Sequence, residues 1–261
     1  MKFNYDKESK VKYVHTEEAH NTKAASIVVP LVNKLIFEGM PPPKVVDFGC
    51  GLGTWLKVFK DYGTSEVLGL DGKWVDKKLL LKYICEEEFC NVDMEQPIKI
   101  DTTYDLVVSL EVAEHISKAS ADIFVQSLVN AGKVILFSAA IPGQGGFNHV
   151  NEQWPEYWIE KFGKHGYIFH DIIRGRIWDN PNVDRHYRQN IFIVAHASIK
   201  ISAEYVAIYS VVHPDYLIQA HNRLNGEIGI IPGLKLFLKG IAWKFKKHVF
   251  KQKSRFKPWH N

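Results

Sequence analysis

Val45-Val46-Asp47-Phe48-Gly49-Cys50-Gly51-Leu52-Gly53-Thr54-Trp55 passes from an apolar run through three glycines into an amphipathic segment within eleven residues. The order predicts a buried strand, a tight turn and a helix in direct succession. Glycine lets a backbone adopt positive φ and lie close to a ligand. The helix N-terminus beyond the turn offers free N–H groups to an anion. The spacing is not the dinucleotide fingerprint G-x-G-x-x-G/A, because Thr54 stands where its last small residue would fall.

Outward from this turn, apolar runs alternate with amphipathic stretches, the pattern of a mostly parallel sheet covered by helices. Residues about 17–38 read as a helix, closed by Gly39 and Pro41-Pro42-Pro43. Strands are read at Lys44–Phe48, Glu66–Leu70, Phe89–Val92, Asp105–Leu110 and Lys133–Phe137, with helices at Thr54–Tyr62 and Trp154–His165. Tyr167–Ile173 and Asn190–Ala195 read as two final strands. Their link of about sixteen residues has no room for a long crossover helix, which predicts an antiparallel pair.

Two acids add to the glycine turn. Asp71 ends the second strand, where a carboxylate can accept both ribose hydroxyls of an adenosine. Trp74 follows and could cover an adenine face. Asp93 ends the next strand, placed to accept the adenine amino hydrogen. Each of these acids read alone is a solvated loop residue, and Trp74 alone is a core residue.

Together the motifs resemble those of the class I S-adenosylmethionine (SAM)-dependent methyltransferases. Asp47-Phe48-Gly49-Cys50-Gly51-Leu52-Gly53 is similar to their first motif, Gly69-Leu70-Asp71 to the second and Val92-Asp93 to the third. The resemblance spans roughly residues 20–195. It implies a doubly wound α/β, Rossmann-like fold with a seven-stranded, mostly parallel sheet and an antiparallel last strand. It also implies SAM as cofactor, held by Asp47, Gly49, Gly51, Gly53, Asp71, Trp74, Asp93 and Glu111. Glu111-Val112-Ala113-Glu114-His115, Ser138–Gly146 and His149–Trp158 resemble a bacterial branch associated with surface glycans, capsules and small-molecule pathways. In that branch the N-terminal segment, here around His20 and Asn21, tends to cap the cofactor.

Ligands of such sheets lie outside the carboxyl ends of the strands. Two loops there are polar. One carries Glu111, Glu114 and His115; the other, Ser138–Gln153, carries Gln144, Asn148, His149, Asn151 and Gln153. A loop this long without an apolar period is often functional. Methyl transfer from a sulfonium needs an aligned nucleophile, and a hydroxyl acceptor must also lose its proton. His149 is the first candidate base and His115 the second, each with a structural role as its alternative. His149 with Glu152 could bind a metal, but no spacing demands one and none is expected. Gln144, Asn151 and Gln153 are read as acceptor contacts. So are Arg174, Arg176, Tyr187 and Arg188 in the link between the last strands, where several arginines could hold an anionic sugar derivative. A solvated loop of ion pairs is the competing reading of that link.

Composition is that of an ordinary globular protein, 46% hydrophobic and 24% charged. The polar N-terminus lacks the apolar core of a secretory signal, and a cytoplasmic protein is expected. Cys50, Cys85 and Cys90 fit no zinc or disulfide pattern. The net charge of +4 hides an asymmetry. From Leu234 onward there are nine Lys/Arg and no acid, leaving 24 of the 33 basic residues against all 29 acids in the remainder. A general nucleic-acid surface is therefore not implied, and the motif of amino-methylating DNA enzymes is absent after Leu110. Ile230, Leu234, Phe237, Leu238, Ile241, Phe245 and Val249 predict a basic amphipathic helix. It could pack on the domain, on a second subunit in a homo-oligomer, or on the anionic inner face of a membrane. The expected organisation is a helical cap over 1–40, the SAM-binding domain over 41–200 and an extension over 201–261. The expected activity is methyl transfer to a hydroxyl of a sugar, nucleotide sugar or related phosphorylated precursor of a surface glycan. The competing readings are an N-methyltransferase of a small amine, a nicotinamide-dependent oxidoreductase and a non-catalytic scaffold.

Overall fold

The computed structural model describes residues 20–201 and 210–225. Seven strands form one sheet: β1 (Lys44–Phe48), β2 (Glu66–Asp71), β3 (Phe89–Asn91), β4 (Leu106–Leu110), β5 (Val134–Ser138), β6 (Tyr167–His170) and β7 (Phe192–His196). Their spatial order is β3-β2-β1-β4-β5-β7-β6. The first five pair in parallel, and β7 runs antiparallel to both neighbours, β5 and β6. The doubly wound architecture read from the sequence is the one observed, including the antiparallel final pair.

The central strands are continuous apolar runs because both faces are covered. Every residue of β4 and β5 is buried. One face packs α1 (Lys23–Ile36) and α2 (Thr54–Asp61) through Ala25, Val28, Val32, Leu56 and Phe59. The other packs α4 (Ala121–Ala131) and α5 (Pro155–Gly163) through Phe124, Leu128, Trp158 and Phe162. A short helix, α3 (Lys77–Leu80), is capped by the Asp76 carboxylate.

Several elements differ from expectation. The first helix begins at Lys23, not residue 17, and contains Pro30. Its apolar stripe belongs to the main core. Residues 1–19, the rest of the expected cap, lie outside the described residues. Helix α4 is absent from the sequence reading. The link between β6 and β7 is not a plain loop but holds two short helices, α6 (Arg174–Ile177) and α7 (Arg185–Asn190).

The described residues fall into two units, divided between Val211 and Val212. In the second, α8 (Pro214–Asn225) opens on a proline with Asp215 in its first turn, which suits a helix start. The basic amphipathic helix expected over 230–249 lies outside the described residues. No described helix is long and apolar enough to cross a membrane.

Candidate active site

The glycine turn lies between the carboxyl end of β1 and the start of α2. Gly49, Gly51 and Gly53 all have positive φ, +86°, +54° and +79°. Two of them are fixed by specific contacts. A Cβ on Gly49 would lie 2.3 Å from Cγ2 of Val112. The Gly51 N–H donates to Asp71 Oδ2 at 2.8 Å, while the Gly72 N–H donates to Oδ1 at 2.6 Å. Asp71 thus ties the turn after β1 to the end of β2. It is only 6% exposed. Burial raises its pKa, against the opposing effect of the two N–H donors and the Trp74 side chain. Asp47 is buried beside it. Its pKa is pushed well up, first by burial and then by the charge of Asp71.

Trp74 is 56% exposed, and its ring lies over Gly72. Exposure rules out the plain core role. Asp93 is exposed after β3, its Oδ1 accepting the Glu95 N–H at 3.0 Å. A carboxylate has lone pairs to spare beyond one such bond. Glycine turn, buried ribose-type acid, exposed indole and exposed second acid follow one another along the carboxyl ends of β1, β2 and β3. This sequence of groups fits an adenosine-bearing cofactor.

Beyond β4 the backbone is strained. Glu111 has φ +56°, costly for a residue with a side chain and frequent at functional sites. Its N–H donates to the hydroxyl and the carbonyl of Ser138. Its carboxylate accepts from Gln144 Nε2 at 2.7 Å and Asn190 Nδ2 at 3.0 Å, and Asn190 also donates to Gln144 Oε1 at 2.8 Å. Glu111, placed with the cofactor set, and Gln144, placed with the acceptor set, thus form one partly buried network. Its third member, Asn190, escaped the sequence reading.

A second cluster lies in the same loops. Glu114 is completely buried, and its carbonyl accepts the N–H groups of Val150 and Asn151. This folds the long loop back over β4. His149 follows, its ring edge-on to His115 with centroids 4.9 Å apart. The Nδ1 of His149 meets Glu152 Oε1 at 2.9 Å, and Nε2 lies 3.9 Å from Glu114 Oε1. Glu152 is itself held by the N–H groups of Gly143 and Gly145. The carboxyl of Glu114 is pushed well above the carboxylate range, mainly by burial and next by Glu111. Burial, then His149, lowers the pKa of His115. Neutral imidazole is a base at physiological pH. Asn151 is buried, with Oδ1 accepting from Gln153 Nε2 at 2.9 Å.

The methyltransferase-domain family model matches residues 19–188. The protein belongs to this family and is a SAM-dependent methyltransferase. A search of curated protein sequences finds no match. Solved structures share the fold at low identity. A sugar N-methyltransferase from Streptoalloteichus aligns with TM-score 0.53 at 11% identity, covering 72% of this chain and 97% of the other. A SAM-bound amino pentose methyltransferase from Micromonospora echinaspora aligns with TM-score 0.51 at 13% identity, covering 72% and 99%. A small RNA methyltransferase aligns with TM-score 0.50 at 18% identity, covering 79% and 28%.

In this methyltransferase the arginines between β6 and β7 have partners within the protein. Arg174 is buried rather than open to an anion. Its guanidinium pairs with both oxygens of Asp171, donates to the Gln189 carbonyl at 3.0 Å and stacks 4.4 Å from the Phe192 ring centre. These contacts tie α6 to the end of β6, to α7 and to β7. Arg176 and Arg188 donate to the carbonyls of Ile172 and Trp178. Tyr187 packs edge-on against Trp55, the second residue of α2, with centroids 5.2 Å apart. Its phenol is pushed up chiefly by burial, with Glu111 and Asp47 also acting on it. It therefore packs beside the start of α2.

Proposed function

We propose that this methyltransferase acts on a hydroxyl of a sugar, nucleotide sugar or related phosphorylated precursor of a surface glycan. SAM, when bound, supplies an electrophilic methyl on a sulfonium. In this reading the turn at Gly49–Gly53 and Asp47 hold its amino-acid end, Asp71 its ribose, and Trp74 and Asp93 its adenine. The Glu111–Gln144–Asn190 network closes the methyl side.

One observation carries the acceptor class: the Glu114–His115–His149 cluster stands beyond β4, among the loops where the acceptor is expected. A neutral amine needs no help to attack a methyl. An alcohol does, because its proton must leave. With Glu152 fixing Nδ1, His149 turns Nε2 inward as the atom that faces that proton. Gln153 and Asn151 lie in the same loop, and exposed Arg176 offers a cation to a phosphate.

The test is S-adenosylhomocysteine release across nucleotide sugars, sugar phosphates, amino-alcohol phosphates and an RNA oligonucleotide. Turnover with a sugar hydroxyl supports the reading. Turnover confined to amines or to RNA refutes it.

A further inference from the structure

We propose that Glu114, His115 and His149 form a binding site for one divalent cation of the Mn2+, Fe2+, Co2+ or Zn2+ class. Among the described residues they are the group whose ligand atoms all lie within 4.8 Å of one another.

The carboxylate makes the first argument. Glu114 is 0% exposed; the backbone N–H groups of Glu114 and Ala140 act weakly on its carboxyl, but neither oxygen makes a hydrogen bond of ordinary geometry. A buried carboxylate without a well-formed hydrogen bond or a charged partner is costly unless a cation neutralises it. Nε2 of His149 is 3.9 Å from Glu114 Oε1, too far for a hydrogen bond. Two ligands of one ion, each about 2.0–2.2 Å from it, stand roughly 3–4 Å apart.

The imidazoles make the second. A metal-binding histidine normally gives its other ring nitrogen to a carboxylate or a backbone carbonyl, which fixes tautomer and orientation. Both histidines are held this way. His149 Nδ1 meets Glu152 Oε1 at 2.9 Å, and His115 Nδ1 meets the Asn148 carbonyl at 3.3 Å. Each is left with Nε2 to coordinate. A Cβ on Gly146 would lie 2.2 Å from Nε2 of His149, so glycine keeps space open beside that nitrogen. Hydrogen bonds from Gly143 and Gly145 to Glu152 hold the supporting carboxylate in turn.

The donor set selects the ion. Two imidazole nitrogens and one carboxylate oxygen suit first-row transition ions and zinc, whereas Mg2+ and Ca2+ prefer oxygen. Three protein ligands leave positions for an acceptor's oxygens. A coordinated hydroxyl releases its proton to solvent more readily. The resulting oxygen then attacks the sulfonium methyl, the C–S electron pair passes to sulfur, and the cation keeps its oxidation state. With the cation bound, His149 acts on the proton through the cation, as its ligand; direct acceptance at Nε2, as described above, belongs to the cation-free site. This step rests on the hydroxyl reading above; the cation site itself does not.

Chelator-treated full-length protein titrated with MnCl2, with free Mn2+ followed by electron paramagnetic resonance, tests the site. The expected result is one Mn2+ per chain. Glu114→Gln, His115→Ala and His149→Ala should each weaken binding at least about tenfold, and Glu152→Gln about 10–100-fold. SAM affinity by calorimetry should stay at the wild-type value, which shows that each variant is folded. If a ligand variant loses SAM binding, Glu152→Gln decides. Wild-type protein that binds neither Mn2+ nor Zn2+ stoichiometrically overturns the site, as does binding that Glu114→Gln and His149→Ala leave unaltered. Cation binding without turnover of any hydroxyl keeps the site and refutes the acceptor reading. Chelator-resistant turnover without cation binding does the reverse.

Discussion

Replacing Asp71 with alanine perturbs two things at once, and the structure separates them. The carboxylate holds the Gly51 and Gly72 N–H groups, at 2.8 and 2.6 Å. Deletion leaves two backbone donors without their acceptor, each worth about 1–3 kcal/mol when buried. Relief of a buried charge offsets part of this, since burial already raises the Asp71 pKa. A net loss of about 1–3 kcal/mol follows, or roughly 2–4 °C in Tm per kcal/mol for a domain of this size. SAM also loses a charged acceptor for its ribose, worth about 1.5–3 kcal/mol, and the Gly51 turn loosens. The dissociation constant should therefore rise by roughly ten- to more than a hundredfold. Calorimetric titration with SAM at 15 °C, well below the lowered Tm, reads the second effect free of the first. Wild-type SAM affinity in Asp71→Ala would refute the placement of the ribose, whatever happens to the Tm.

Further outcomes are fixed by other contacts. Gly51→Val should abolish SAM binding in calorimetry, because φ of +54° disfavours a β-branched residue and the side chain would enter the cofactor's approach. Arg174→Ala strands Asp171 in a nearly buried site and should cost about 3–5 kcal/mol in urea unfolding; a change under about 1 kcal/mol would return Arg174 to the acceptor site. In metal-free protein Glu114→Gln should raise the Tm. The folded carboxyl has a raised pKa, so its favourable contribution is present below the unfolded value of about 4.3 and is lost as pH rises through the folded value. The gain should hence be a few degrees at pH 8 and near zero at pH 4, by thermal denaturation.

How legible this was depended on distance along the chain. Strands β1, β4 and β5 announce themselves because parallel strands covered on both faces are unbroken apolar runs, and Gly49–Gly53 marks its own turn. Helix α4 was not read because Ile123, Phe124 and Val125 stand together, and only the last two are buried. The Glu111 network joins residues 33 and 79 positions apart, which no local pattern encodes. Glu114 stood in view beside His115. What makes it unusual is its burial, and that comes from Val150 and Asn151 folding back onto its carbonyl. The burial of Arg174 was not legible, because charge along a chain does not reveal that Asp171, one turn earlier, pairs with the guanidinium.

In the proposed reading, the cofactor half of the site lies around Asp71 and the acceptor half around His149. The initial rate of S-adenosylhomocysteine release with the hydroxyl acceptor, at saturating SAM, compares wild type with His149→Ala. The predicted result is a fall of about 10²–10⁴-fold with SAM affinity unchanged. A loss of tenfold or less would contradict it and reduce His149 to a residue that merely holds its loop.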